Sequence, residues 1–154
     1  MGCLPVRWLP LACLLLAACA GGAADSGNGD GADRGDAGAA LLGHWQLVEI
    51  RSMDDRVFRP AEDARFTLSL LEGGGLTLVA DCNRGLGSWL SEGPSQLRFG
   101  PLATTRAYCG PDSLHDRFLA DLAAVRSYVM RDGRLYLATL ADGAILEFSP
   151  VEAD

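Results

Sequence analysis

Apolar and polar residues alternate along most of the chain from residue 41 onward, the pattern of strands with one buried face. In the first run, Trp45 and Leu47 share a face, and Glu49 is placed with them. Gly73-Gly74-Gly75 separates two further alternating runs and predicts a hairpin turn. The strands predicted in this half are Gly43–Ile50, Phe66–Leu71, Leu76–Ala80, Gly87–Ser91 and Gln96–Phe99.

The apolar period changes after residue 110. Pro111-Asp112-Ser113 predicts the start of a helix, with Asp112 or Ser113 as N-cap. One apolar stripe follows at helical spacing: Leu114, Phe118, Leu122 and Val125. Alternation then returns in three predicted strands with Asp-Gly turns between them: Tyr128–Arg131, Leu135–Thr139 and Ile145–Ser149.

These elements define the predicted fold class. It is α+β: a strongly curled antiparallel β-sheet, a barrel-like meander, with one amphipathic helix inserted before the last three strands. Residues 41–151 form the predicted domain, which is long enough to bury one core.

Residues 1–18 are predicted to be a lipoprotein signal peptide. Trp8 to Ala18 is apolar apart from Pro10, and it is shorter than the ~20 residues that span a bilayer. Leu16-Ala17-Ala18-Cys19 resembles a bacterial lipobox, so we expect Cys19 to carry a diacylglycerol and a third acyl chain such as palmitate. A secreted protein cleaved at an Ala-rich site is the alternative.

Residues 19–40 are predicted to be the lipidated cysteine and a flexible tether. Ala20 to Ala40 is mostly Gly, Ala and Asp, without a large apolar side chain that could offset the entropy of ordering. Ala20 stands where an Asp would favour inner-membrane retention. We therefore expect a lipid anchor in the outer membrane, with the domain facing the periplasm.

Charge excludes several classes of function. Asp and Glu number 20 against 13 basic residues, which disfavours nucleic acid as a partner. All basic residues are arginine, so a Walker A lysine and a Schiff-base lysine are both excluded. The chain also lacks the common hydrolase, metalloprotease and dinucleotide-binding motifs. No catalytic residue and no cofactor is predicted.

Two polar motifs contain the cysteines of the predicted domain. Cys82-Asn83-Arg84 continues to Gly87, and Thr105-Arg106 continues to Cys109. An oxidising compartment and an even count predict a disulfide between Cys82 and Cys109. A metal site formed by both cysteines and His115 is a weaker alternative, because the spacing matches no zinc motif.

The other motif residues are open to two interpretations. Arg84 and Arg106 could grip a carboxylate or phosphate. Alternatively, Asn83 and Thr105 satisfy backbone groups at tight turns while the arginines lie along the sheet. The structural interpretation is preferred.

The same motifs resemble the META domain, the family of HslJ-like bacterial lipoproteins. Leu42-Gly43-His44-Trp45-Gln46-Leu47 is similar to its opening strand, and Phe99 to Cys109 is similar to its second motif. Asp81 departs from the Gly usual before the cysteine, which hints at a changed strand conformation.

We therefore expect a noncatalytic envelope lipoprotein that binds an envelope protein or a small ligand during stress. The resemblance implies links to heat shock and antibiotic tolerance. A small barrel that binds an apolar ligand or peptide is the alternative function. An enzyme is the third possibility and would need titratable groups converging in a cleft.

Overall fold

The computed structural model describes residues 38–152. The predicted signal peptide, Cys19 and the tether up to residue 37 lie outside the described residues. Within residues 38–152, the strands and the helix that pack into the domain are β1 Gly43–Ser52, β2 Val57–Phe58, β3 Phe66–Leu70, β4 Gly75–Ala80, β5 Asn83–Leu90, β6 Arg98–Phe99, β7 Ala103–Thr104, α1 His115–Ala124, β8 Val125–Arg131, β9 Arg134–Thr139 and β10 Ala144–Val151.

The strands form an antiparallel sheet in the order β6-β5-β4-β3-β1-β10-β9-β8, with β2 beside β1 and β7 beside β5. The two ends of this sheet meet. Gln96, just before β6, bridges Ser127 of β8. The Tyr128 N–H donates to the Ser95 carbonyl at 2.9 Å, beside that bridge. The sheet is therefore nearly closed and barrel-like, and the predicted fold class is confirmed.

Helix α1 lies over the core, as its apolar stripe predicts. Phe118 and Leu122 are fully buried. The Phe118 ring lies edge-on to Phe66, with 5.3 Å between centroids, and 6.3 Å from the Phe148 ring. Aromatic side chains from the helix and from two strands thus fill the interior. Among residues 38–152, no helix is both long enough and apolar enough to cross a membrane.

The helix begins one position later than a Ser113 N-cap requires. Leu114 is the N-cap residue and makes no side-chain capping bond. Ser113 still contributes, because its Oγ accepts a hydrogen bond from the His115 N–H at 3.2 Å. After Ala124 the backbone becomes extended at Val125 and passes directly into β8.

The predicted turns occur with different geometries. A short 3₁₀ turn, Glu72–Gly74, joins β3 to β4. Asp132 and Gly133 form a two-residue turn, both with positive φ, as a tight Asp-Gly hairpin requires. Asp142-Gly143 instead belongs to a longer connection, in which the Thr139 Oγ1 accepts the Ala144 N–H at 2.8 Å.

A β-bulge in β1 changes the face assigned to Glu49. The register shifts between Leu47 and Glu49, so that Glu49 lies opposite Glu147 and Ile50 lies opposite buried Leu146. The extra residue reverses the alternation after Leu47. Placing Glu49 on the face of Trp45 and Leu47 was therefore wrong: Glu49 is on the outer face of the sheet.

Candidate functional site

The first polar motif begins in a tight turn between two strands. Ala80 pairs with Asn83, so Asp81 and Cys82 form the whole connection between β4 and β5. Asp81 has φ +61°, the left-handed conformation that glycine favours and that Asp tolerates. Asp81 is therefore a turn residue and not a strand residue. The change in strand conformation that was expected from it does not occur. Strand β5 begins at Asn83, earlier than the predicted start at Gly87.

Cys82 and Cys109 form a disulfide, as predicted. The S–S distance is 1.97 Å and the two Cα atoms are 5.5 Å apart. The bond joins the β4–β5 turn to the segment that leads into α1. Cys82 is exposed, whereas Cys109 is half-buried.

Asn83 organises the segment that passes over this turn. It is fully buried. Its Nδ2 donates to the Ala107 carbonyl at 2.9 Å, and its Oδ1 accepts from the Ala107 N–H at 2.7 Å. The Thr105 hydroxyl donates to the same Oδ1 at 2.8 Å. The side-chain amide thus supplies hydrogen bonds that a neighbouring strand would otherwise provide.

Thr105 continues this bonding to the next residue of β5. Its Oγ1 accepts from the Arg84 N–H at 3.1 Å, and its own N–H donates to the Arg84 carbonyl at 3.0 Å. Strand β7 then pairs with β5 through Gly85 and Leu86.

Gly87 has a packing role in the same strand. A Cβ at this position would lie 2.8 Å from the Leu102 Cδ2 and 3.1 Å from the Pro101 carbonyl oxygen. Only glycine lets the segment before β7 approach β5 this closely.

The two motif arginines line different clefts. Both are exposed, and no hydrogen bond or ion pair of either guanidinium is found in residues 38–152. Arg106 lines an open cleft of about 650 Å³ together with Tyr108, Cys109 and His115. Arg84 lines a separate cleft of about 400 Å³ with Leu86 and Thr105. This arrangement does not support the hypothesis that both arginines bind one ligand together.

Each histidine makes a polar contact with a nearby side chain. His44 Nδ1 is 2.8 Å from the Ser69 Oγ, and His115 Nδ1 is 2.9 Å from the Asp116 Oδ1. The His115 Nε2 is buried without a hydrogen-bond partner. Within the described part of the chain, no group of three His, Cys, Asp or Glu side chains could hold a metal ion. The sulfurs of Cys82 and Cys109 are committed to the disulfide.

Sequence reasoning missed an ion-pair cluster on the outer face of β1 and β10. Glu49 is 7% exposed and accepts from Arg51 at 2.7 Å and from Arg59 at 2.6 Å. Its cross-strand neighbour Glu147 is paired with Arg134. The hydrogen bond from Arg51, supported by the charge of Arg59, lowers the pKa of Glu49 despite its burial. Only knowledge of the bulge could have revealed this cluster.

The nearly closed sheet and the motif-bearing turn define a small antiparallel barrel braced by one disulfide. The profile of the META domain matches residues 39–153, and the chain belongs to the META domain family.

Two solved structures share this fold. One is the NMR structure of a protein from Burkholderia xenovorans, 27% identical, covering 75% of this chain and 89% of its own, with a TM-score of 0.60. The other is the crystal structure of a DUF4847 family protein from Bacteroides vulgatus ATCC 8482, 16% identical, covering 73% of this chain and 94% of its own, with a TM-score of 0.52. A search of the curated proteins found no match.

Proposed function

We propose that this META domain protein is a noncatalytic, lipid-anchored protein of the bacterial envelope that binds a protein or small-molecule partner during stress. The observation that carries the proposal is the Cys82–Cys109 disulfide, since such bonds persist in oxidising compartments. The lipobox-like sequence ending at Cys19 supports the same compartment. The stress role rests on the family resemblance.

The contacts of the motif residues account for them without a catalytic role. Asn83 and Thr105 hold main-chain groups of Ala107 and Arg84 in place. The carboxyl groups with a lowered pKa, Glu49 and Asp54, are both paired with arginines. These contacts favour a structural role for the motif and leave binding to the exposed surface.

The cleft beside Arg106 is the surface that best suits a partner. Tyr108 lines it and is 84% exposed, which is unusual for a large aromatic side chain. An exposed tyrosine and an arginine are the residue types that contribute most binding energy at protein interfaces. We expect the partner to contact this cleft through an apolar side chain and a carboxylate.

Binding of an apolar ligand inside the barrel is the weaker alternative. The rings of Phe66, Phe118 and Phe148 are fully buried and pack together in the interior. The clefts that contain Arg106 and Arg84 lie at the surface and not in this interior. Ligand entry would require these aromatic contacts to separate.

Crosslinking in intact envelopes tests the proposal. A photoreactive amino acid replaces Tyr108 in one variant and Val129, an exposed residue of β8, in the control. The proposal predicts one crosslinked envelope protein at position 108 that is absent at position 129 and is lost when Arg106→Ala is added. Equal crosslinking at both positions would indicate chance encounters.

The anchor is tested separately by Cys19→Ser. Without the thiol, neither the diacylglycerol nor the processing that follows it can occur, so the protein should leave the outer-membrane fraction. Retention of the variant in that fraction would count against the lipid anchor. Such retention would not change the interpretation of the crosslinking experiment.

A further inference from the structure

The two sulfurs of the disulfide have different surroundings. The Cys109 Sγ is 3.3 Å from the Cys82 backbone nitrogen and 3.1 Å from the Asn83 Nδ2, both of which donate N–H groups to it. The Cys82 Sγ is 3.6 Å from the same Asn83 Nδ2. Donors therefore concentrate on one sulfur of the pair.

This asymmetry has a chemical consequence. N–H groups directed at a sulfur stabilise the thiolate that forms when the S–S bond breaks. The sulfur so stabilised, Cys109, is the better leaving group. Its partner Cys82 is the exposed residue of the pair, at the tip of the β4–β5 turn. The stabilised Cys109 thiolate and the exposure of Cys82 therefore favour the same reaction, in which a thiol attacks the Cys82 Sγ and Cys109 is released.

We propose that Cys82–Cys109 is a reactive disulfide that exchanges with thiols, with Cys82 as the sulfur attacked and Cys109 as the sulfur released. The co-reactant is a dithiol of a protein or a small molecule. This activity goes beyond the binding role proposed above and is stoichiometric, one dithiol for each protein molecule.

The exchange proceeds in two steps. A thiolate of the dithiol attacks the Cys82 Sγ and forms a mixed disulfide, while the electron pair of the broken S–S bond leaves on the Cys109 Sγ. The second thiol of the co-reactant loses its proton to water and attacks the co-reactant sulfur of the mixed disulfide. Cys82 leaves as a thiolate and is protonated. The dithiol is oxidised to a disulfide, and the protein disulfide is reduced to two thiols.

Glutathione serves as the probe of the first step. The oxidised full chain is incubated briefly with glutathione, quenched with acid and alkylated, and the peptides that contain Cys82 and Cys109 are analysed by mass spectrometry. We expect glutathione on Cys82 in about tenfold excess over Cys109, because the better stabilised thiolate leaves faster. Glutathione mainly on Cys109, or no exchange in the native protein, would overturn the proposal.

Two variants separate stabilisation of the thiolate from simple loosening of the segment. Asn83→Asp keeps an oxygen that accepts from Thr105 and from the Ala107 N–H, but it replaces the donor to the Cys109 Sγ and to the Ala107 carbonyl with a charged oxygen. Thr105→Val weakens the same segment and keeps that donor.

The variants have opposite expected effects. Asn83→Asp should slow the first exchange step by about tenfold, the effect of losing one hydrogen bond to a charged group. Thr105→Val should react at the wild-type rate or faster. If Asn83→Asp also reacts as fast as wild type or faster, opening of the segment controls the reaction and the proposal is wrong. If Asn83→Asp does not fold, the distribution of glutathione on the wild-type chain decides alone.

Discussion

Asn83 and Ala107 are joined by a pair of hydrogen bonds, from the Asn83 Nδ2 to the Ala107 carbonyl at 2.9 Å and from the Ala107 N–H to the Asn83 Oδ1 at 2.7 Å. The side-chain amide of one residue therefore pairs with the main chain of another across 24 positions of sequence. This pair lies beside the Cys82–Cys109 bond, and together they brace the turn that carries the family motif.

Asn83→Ala should destabilise the fold by about 2–4 kcal/mol, because the Ala107 N–H and carbonyl lose buried partners. Urea unfolding measures the change. Arg84→Ala and Arg106→Ala are matched controls in the same motifs and should stay within about 0.5 kcal/mol, since both side chains are exposed. A large loss in the arginine variants with little loss in Asn83→Ala would reverse the assignment of roles.

Cys82→Ala should cost about 3–4 kcal/mol on the chain-entropy model of a disulfide that closes a loop of this length. Cys109→Ala should give the same loss, because either change removes the same bond. Tyr108→Phe, at an exposed neighbour, is the control and should unfold like wild type. Stability that is unchanged without the disulfide would show that the turn is held by Asn83 alone.

Phe118→Ala should destabilise the protein by about 3–5 kcal/mol, the usual cost of removing a buried phenylalanine. The ring touches aromatic residues from β3 and β10, so its loss leaves a cavity under the helix. Leu86→Ala, which removes a side chain that is 63% exposed, is the control. Equal losses in the two variants in thermal or urea unfolding would mean that α1 does not seal the interior.

Glu49→Gln should change the pH dependence of stability. The pKa of Glu49 is lowered by the Arg51 hydrogen bond and the Arg59 charge, so the folded state favours the carboxylate. Its contribution is complete above the ordinary value of 4.5 and is lost as the pH falls through the lower folded-state pKa. The difference between wild type and Glu49→Gln in urea unfolding should therefore be largest near neutral pH and shrink in acid.

The control for that series is Glu62→Gln, at an exposed loop position. It should track wild type at every pH. A gap between wild type and Glu49→Gln that is constant with pH would show that Glu49 contributes through packing and not through its charge.

Much of the fold follows from local patterns. Alternating runs such as Phe66–Leu70 and the stripe through Phe118 and Leu122 identify the strands and the helix, because burial imposes periods of two and about 3.6. The Asp132-Gly133 turn follows from its need for positive φ. These signals are contained in a few neighbouring residues.

The remaining features depend on pairings between distant segments. The bulge between Leu47 and Glu49 lets β1 bury apolar residues against β10 both before and after it. No local pattern in the sequence marks its position. The bridge from Gln96 to Ser127 likewise arises only when the sheet curls. The motif showed which residues matter, but only the pairing of Asn83 with Ala107 showed what they do.

The central claim is that the motif is a brace completed by an oxidised Cys82–Cys109 pair. The most direct measurement is thiol alkylation of the protein purified without reductant, followed by peptide mapping. We predict a crosslinked Cys82–Cys109 peptide and no alkylation of either residue before reduction. Free alkylation of both cysteines in the native exported protein would contradict the account.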